Sequence, residues 1–178
     1  IFGGIGALAG RSVLETLPIL ANGVFGQGPS GLGYMTAAAG AGAVGASIFK
    51  AVSKPQKANE FEPHILAMPV VIPLLVASFA MIDDFGTAVG AVALVGASVT
   101  LLAISLQSTV QMAIEDRYRG RVMGLWTTIS IGSGALGAVL MGVLVDMAGP
   151  AFAQLLIGLT LAAASVLVLS KFRRGAGR

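Results

Sequence analysis

The chain of 178 residues has no cysteine and one histidine, His64. Disulfide frameworks, thiolate metal sites and histidine clusters are thereby excluded, and neither a metal nor another cofactor is expected. No nucleophile–base arrangement and no Gly-x-Ser-x-Gly elbow is visible, which argues against an enzyme. Charge is equally scarce: 11% of residues are Asp, Glu, Lys or Arg, against about 25% in soluble domains. Too little polar surface exists to clothe a soluble fold. Aromatics make up 6%, so close packing cannot come from bulky rings. No signal-peptide pattern opens the chain.

What is present fits lipid. Hydrophobic residues reach 56%, mean hydropathy is +0.89, and 25 glycines supply the small-residue bias of transmembrane helices that approach closely. The net charge of +3 does not indicate nucleic acid, because the basic residues fall between apolar runs. Six such runs are predicted as transmembrane helices of an all-α membrane protein, at about 1–25, 31–49, 65–82, 87–110, 122–145 and 151–170. The fifth has 24 residues without charge, enough at about 1.5 Å each to cross a hydrocarbon layer of about 30 Å. Gly26-Gln27-Gly28-Pro29-Ser30 and Asp83-Asp84-Phe85-Gly86 read as turns, and Pro69 and Pro73 predict a bend in the third helix. Ile1 already lies in an apolar run, so a preceding segment of a longer protein is expected.

Basic residues give an orientation. A cytoplasmic tail at Lys171-Phe172-Arg173-Arg174 makes the connections at 50–64 and 111–121 cytoplasmic too. Every Lys or Arg outside the first helix then lies inside, with both ends cytoplasmic. The partner expected on these grounds is the bilayer.

Within the first helix Arg11 and Glu15 are four residues apart and share a face that Pro18 and Asn22 continue. An arginine at the bilayer centre costs on the order of 3 kcal/mol on insertion scales. Two readings fit: the pair neutralises itself and fixes the helix, or it lines a translocation path in which Glu15 carries a proton. Gln107, with Thr100 and Gln111, is a weaker polar candidate in the fourth helix; Thr127, Thr128, Ser130 and Ser133 are weaker ones in the fifth, where hydroxyls commonly bond back to their own helix. His64 reads as an interfacial residue. Gly6-xxx-Gly10, Gly86-xxx-Gly90, Gly120-xxx-Gly124 and the group Gly40, Gly42 and Gly45 read as packing faces.

The charged knot Glu115-Asp116-Arg117-Tyr118-Arg119-Gly120-Arg121 opens the fifth helix, and the glycines Gly132, Gly134, Gly137 and Gly142 lead on to Asp146 and Gly149. With six helices and Leu17-Pro18, Gly31-Leu32-Gly33-Tyr34 and Arg119-Gly120-Arg121-Val122-Met123-Gly124-Leu125, the chain resembles the C-terminal half of a major facilitator superfamily transporter. The likeness is nearest to the drug and siderophore exporter branch, with lysophospholipid transporters nearby. It implies helices seven to twelve of twelve, a missing N-terminal six-helix half as partner, proton-coupled efflux or antiport of a hydrophobic or amphipathic small molecule, and a bacterial inner membrane. It also implies a cytoplasmic gating loop at Glu115, Asp116, Arg117, Arg119 and Arg121, for which a plain anchor to anionic headgroups is the alternative, and helix packing through Gly132, Gly134, Gly137 and Gly142. The connection after the second helix lacks the Asp-Arg-x-Gly-Arg signature, and Ala138 stands where the antiporter motif has proline. A non-transporting structural subunit is the remaining alternative.

Overall fold

The computed structural model describes residues 2–53 and 63–176, which form six helices. These are α1 (Phe2–Ile19), α2 (Gly28–Val52), α3 (Pro63–Ser78), α4 (Phe85–Ala113), α5 (Asp116–Ala148) and α6 (Pro150–Ala176). A π-helical turn, Leu20–Val24, prolongs α1, and a short 3₁₀ turn, Phe79–Met81, prolongs α3. Five of the helices are long and apolar enough to cross a membrane. The sixth, α1, contains Arg11 and Glu15, which lower its hydropathy, yet it runs through the middle of the bundle. Apolar side chains cover much of the outside, among them Val44 and Ile48 on α2, Leu136 and Val143 on α5, and Val166 and Leu167 on α6. In water such a surface would far exceed the few hundred Å² a soluble monomer exposes. The chain is a multi-pass membrane protein.

The turns follow from local chemistry. Gly26 and Gly28 both have φ of +62°, a region nearly closed to side-chain-bearing residues, and Pro29 then occupies the first turn of α2, where its missing N–H costs nothing. Asp84 caps α4, its carboxylate accepting from the Thr87 N–H at 2.7 Å and the Thr87 hydroxyl at 3.0 Å. The Thr87 backbone bond, more than the hydroxyl, holds the Asp84 carboxyl below its ordinary value. Gly149, at φ +82°, is the single residue between α5 and Pro150 of α6. The connection after α2 is described only to Ser53, so Lys54, Lys57, Glu60 and Glu62 lie outside the described residues.

One helix boundary corrects the sequence reading. The stretch 116–121, expected as a loop, is helical: α4 ends at Ala113, Glu115 takes the N-cap position, and α5 starts at Asp116. An acid in the first turn complements the helix dipole, and long arginines reach polar surroundings from a helix that continues past the hydrocarbon. α3 continues as one helix through Pro69 and Pro73. Pro73 has no N–H to give the Pro69 carbonyl. The fully buried Ser165 of α6 supplies the bond instead, its hydroxyl donating to the Pro69 oxygen at 2.6 Å while also lying 2.8 Å from its own Leu161 carbonyl.

α1 is the axis of the bundle, packing on α3, α4, α5 and α6. Its Ala9, Val13, Leu17, Leu20 and Ala21 join Ile72 and Val76 of α3, Val92 and Val95 of α4, Met141 of α5 and Ala153 and Ile157 of α6 in one core. Small residues permit the closest crossings. A methyl group at Gly42 would strike the Ala93 carbonyl, and one at Gly96 the Ala39 carbonyl, so α2 and α4 touch backbone to backbone. Gly158 of α6 lies equally close to α3, where an added methyl would sit 2.6 Å from the Ala77 nitrogen.

Candidate functional site

Depth comes from helix registration. Gly10 packs on Val99, the central residue of the 29-residue α4, so position 11 lies near the middle of the bundle. The Arg11 side chain lies outside the described residues. One turn further, Glu15 and Pro18 are exposed, and Asn22, within the π-helical turn, is exposed too. Behind this stripe the helix is fully packed: Val13, Leu17 and Ala21 are at most 3% exposed. One side of α1 therefore belongs to the core and the other carries polar groups that no described helix covers. π-helical turns widen the backbone and recur at functional positions.

A second polar group lies on the packed side of α1. Ser12 and Thr16 are buried four residues apart, and each bonds back to its own helix, Ser12 to the Leu8 carbonyl at 2.7 Å and Thr16 to the Val13 carbonyl at 2.9 Å. The Gln154 side chain of α6, with no exposed surface, donates from Nε2 to the Thr16 oxygen over a long 3.4 Å. Its Oε1 has no protein partner among the described residues. A buried acceptor left unpaired costs about 1–3 kcal/mol.

At the basic end of the bundle, Arg117, Arg119 and Arg121 are all exposed. Arg117 bonds the Tyr118 hydroxyl and stands 4.6 Å above that ring. Arg119 pairs with Asp116 at 2.8 Å, one turn back on the same helix. Such exposed pairs contribute little, about 0.3–0.5 kcal/mol, so among the described residues the knot holds no rigid network of its own. Gln107 is exposed on the same half of α4.

Residues 2–175 match the family described as transmembrane secretion effector. The chain belongs to that family, within the major facilitator superfamily. No curated protein and no solved structure matches it.

In this transporter the glycine run of α5 divides by face. Gly137 lies against the Leu8 backbone of α1, and Gly134 is buried. A methyl added at Gly132 or Gly142 would meet nothing within 4 Å among the described residues, and the same holds for Gly120 and Gly124. Gly6 and Gly10 both abut α4, at Leu102 and Val99. His64 is more than interfacial: half-buried at the start of α3, it shares a 2.7 Å hydrogen bond with the fully buried Ser105 of α4.

The sequence reading missed Ser12, Thr16, Gln154 and Ser165. Ser12 and Thr16 have a helical spacing that was visible beside Arg11 and Glu15. The two α6 residues are single polar positions in apolar surroundings, and their partners are distant in sequence, 138 residues for Gln154 and 96 for Ser165.

Proposed function

We infer that this transporter is a proton-coupled exporter of a hydrophobic or amphipathic small molecule in a bacterial inner membrane, with both chain ends cytoplasmic. In this reading the chain is the C-terminal half of a twelve-helix fold, and a second six-helix half lies against the faces that the described helices leave uncovered.

The observation that carries the reading is the exposed stripe of Glu15 and Asn22 on the most enclosed helix of the bundle. A carboxylate at that depth is too costly to face lipid, so it faces a water-filled cavity or another protein surface. The uncovered sides of α2 and α5 support the second half: 11% and 17% of their spans are buried, against 44% for α4. A cavity between two such halves gives alternating access as one half rocks against the other. In this reading Glu15 takes up a proton on one side and releases it on the other.

Substrate efflux from sealed vesicles of the full-length protein, driven by an imposed proton gradient, tests this. Replacement Glu15→Gln is expected to abolish gradient-driven efflux while leaving substrate exchange without a gradient intact. Unchanged gradient-driven efflux and an unchanged pH profile would remove Glu15 from coupling.

A further inference from the structure

The geometry points to a subsite for a compact, uncharged aromatic group in the basic-end half of the bundle, between α4 and α5. It rests on the transporter reading above and names the part of a substrate that this half would hold. α4 and α5 are joined by a two-residue turn but pack on either side of α1 rather than along each other. The gap between them is a recess of about 180 Å³. Gly6 forms its floor, Leu102, Ala103 and Leu106 one wall, and Trp126 and Ser130 the other.

Three features make this a binding site rather than a packing fault. The first is size: an engineered apolar cavity of about 150 Å³ takes up benzene, so this volume accommodates one ring with a small substituent. The second is chemistry. The lining has no charge, an indole for stacking and one hydroxyl, the pattern of a mostly apolar pocket with a single orienting group.

The third feature is the state of that hydroxyl. Thr127 and Thr128 beside it bond back to the Met123 and Gly124 carbonyls, each at 3.0 Å. Ser130 has no hydrogen-bond partner among the described residues, although it faces the recess with Trp126 one turn away. A phenol-like or anilide-like group would satisfy it; a lipid chain would not. The space itself depends on small residues, since a methyl at Gly6 would meet the Leu102 Cδ2 and drive that side chain toward the recess.

Trp126 is the one tryptophan of the 178 residues, so its fluorescence reports occupancy directly. In the full-length protein, with any tryptophan outside these residues changed to phenylalanine, 4-bromophenol is expected to quench Trp126 saturably. Filling the recess by Ala103→Phe should weaken that quenching at least about tenfold. Ser130→Ala should weaken 4-bromophenol about threefold and leave bromobenzene unchanged, a readout that survives if Ala103→Phe does not fold. Quenching that rises linearly with probe and is equal in wild type and both variants overturns the subsite. Saturable quenching by 1-bromooctane but not by 4-bromophenol also overturns it, in favour of a lipid chain. If quenching fails while Glu15-dependent efflux persists, the subsite falls alone. If quenching saturates but no efflux is found, the recess binds such rings and its assignment to a transported substrate falls.

Discussion

α6 carries two fully buried polar side chains, Gln154 and Ser165, and they meet opposite circumstances. Ser165 gives a 2.6 Å hydrogen bond to a carbonyl that Pro73 leaves without a donor. Gln154 reaches Thr16 over 3.4 Å and leaves its Oε1 unpaired among the described residues. Toward α3, then, α6 repairs a defect; toward α1 it introduces one. The α3–α6 seam is further tightened by Gly158 on the Pro73–Ala77 backbone. The α1–α6 seam instead borders the helix that carries the exposed Glu15. Because packed elements shift between discrete arrangements, the seam with an unmet polar group is the one with something to gain from a second arrangement.

Mutations can break this contrast. The largest effect belongs to Gly158→Leu, because the atoms in its way are the Pro73 carbonyl and the Ala77 nitrogen rather than a mobile side chain. It should cost about 2–3 kcal/mol in reversible unfolding, and a neutral result would mean that the two helices are not in contact there. Next comes Ser165→Ala, expected to cost about 1 kcal/mol, because the Pro69 carbonyl loses its donor.

For the other seam the expected sign is reversed. Gln154→Leu should be neutral or stabilising by up to about 1 kcal/mol, as an unpaired acceptor is removed and the Thr16 hydroxyl keeps its backbone bonds. A loss as large as that of Ser165→Ala would instead mean that a bound water or another donor serves Oε1.

The smallest effect lies outside both seams, at the Asp84 cap of α4. Its folded-state pKa is lowered, so the stabilisation is present above 3.8 and is lost as pH falls below it. Thermal melts of Asp84→Ala and wild type should therefore differ at pH 7 and converge in acid. A constant gap across that range would show that the carboxylate charge is not what caps the helix.

Much of the fold is legible in the amino-acid order because hydropathy alone dictates apolar helices in lipid, and Gly, Pro and Asp mark their ends. The stripe of Arg11, Glu15 and Asn22 is legible for the same reason, since one helix repeat defines it. Helical register is harder to read where charge is involved: Asp116–Arg121 look like a loop only if a helix is assumed to stop where the hydrocarbon does. Cross-helix chemistry is harder still. Nothing local distinguishes Gly42, where an added methyl would strike a neighbouring backbone, from Gly40 and Gly45, where one would meet nothing within 4 Å among the described residues. Nor does the sequence around Gln154 indicate that its neighbour will be Thr16.

The bond between Ser165 and Pro69 also orders events in time. The two residues are 96 positions apart, and at about 5–20 residues per second a ribosome needs roughly 5–20 s to travel that distance. Throughout that interval α3 exists with a carbonyl that its own helix cannot serve, and only the arrival of α6 closes the gap. α6, made later, is thus a finishing part for α3, and a chain interrupted before Ser165 would present the quality-control machinery with a flaw inside a helix that was otherwise complete.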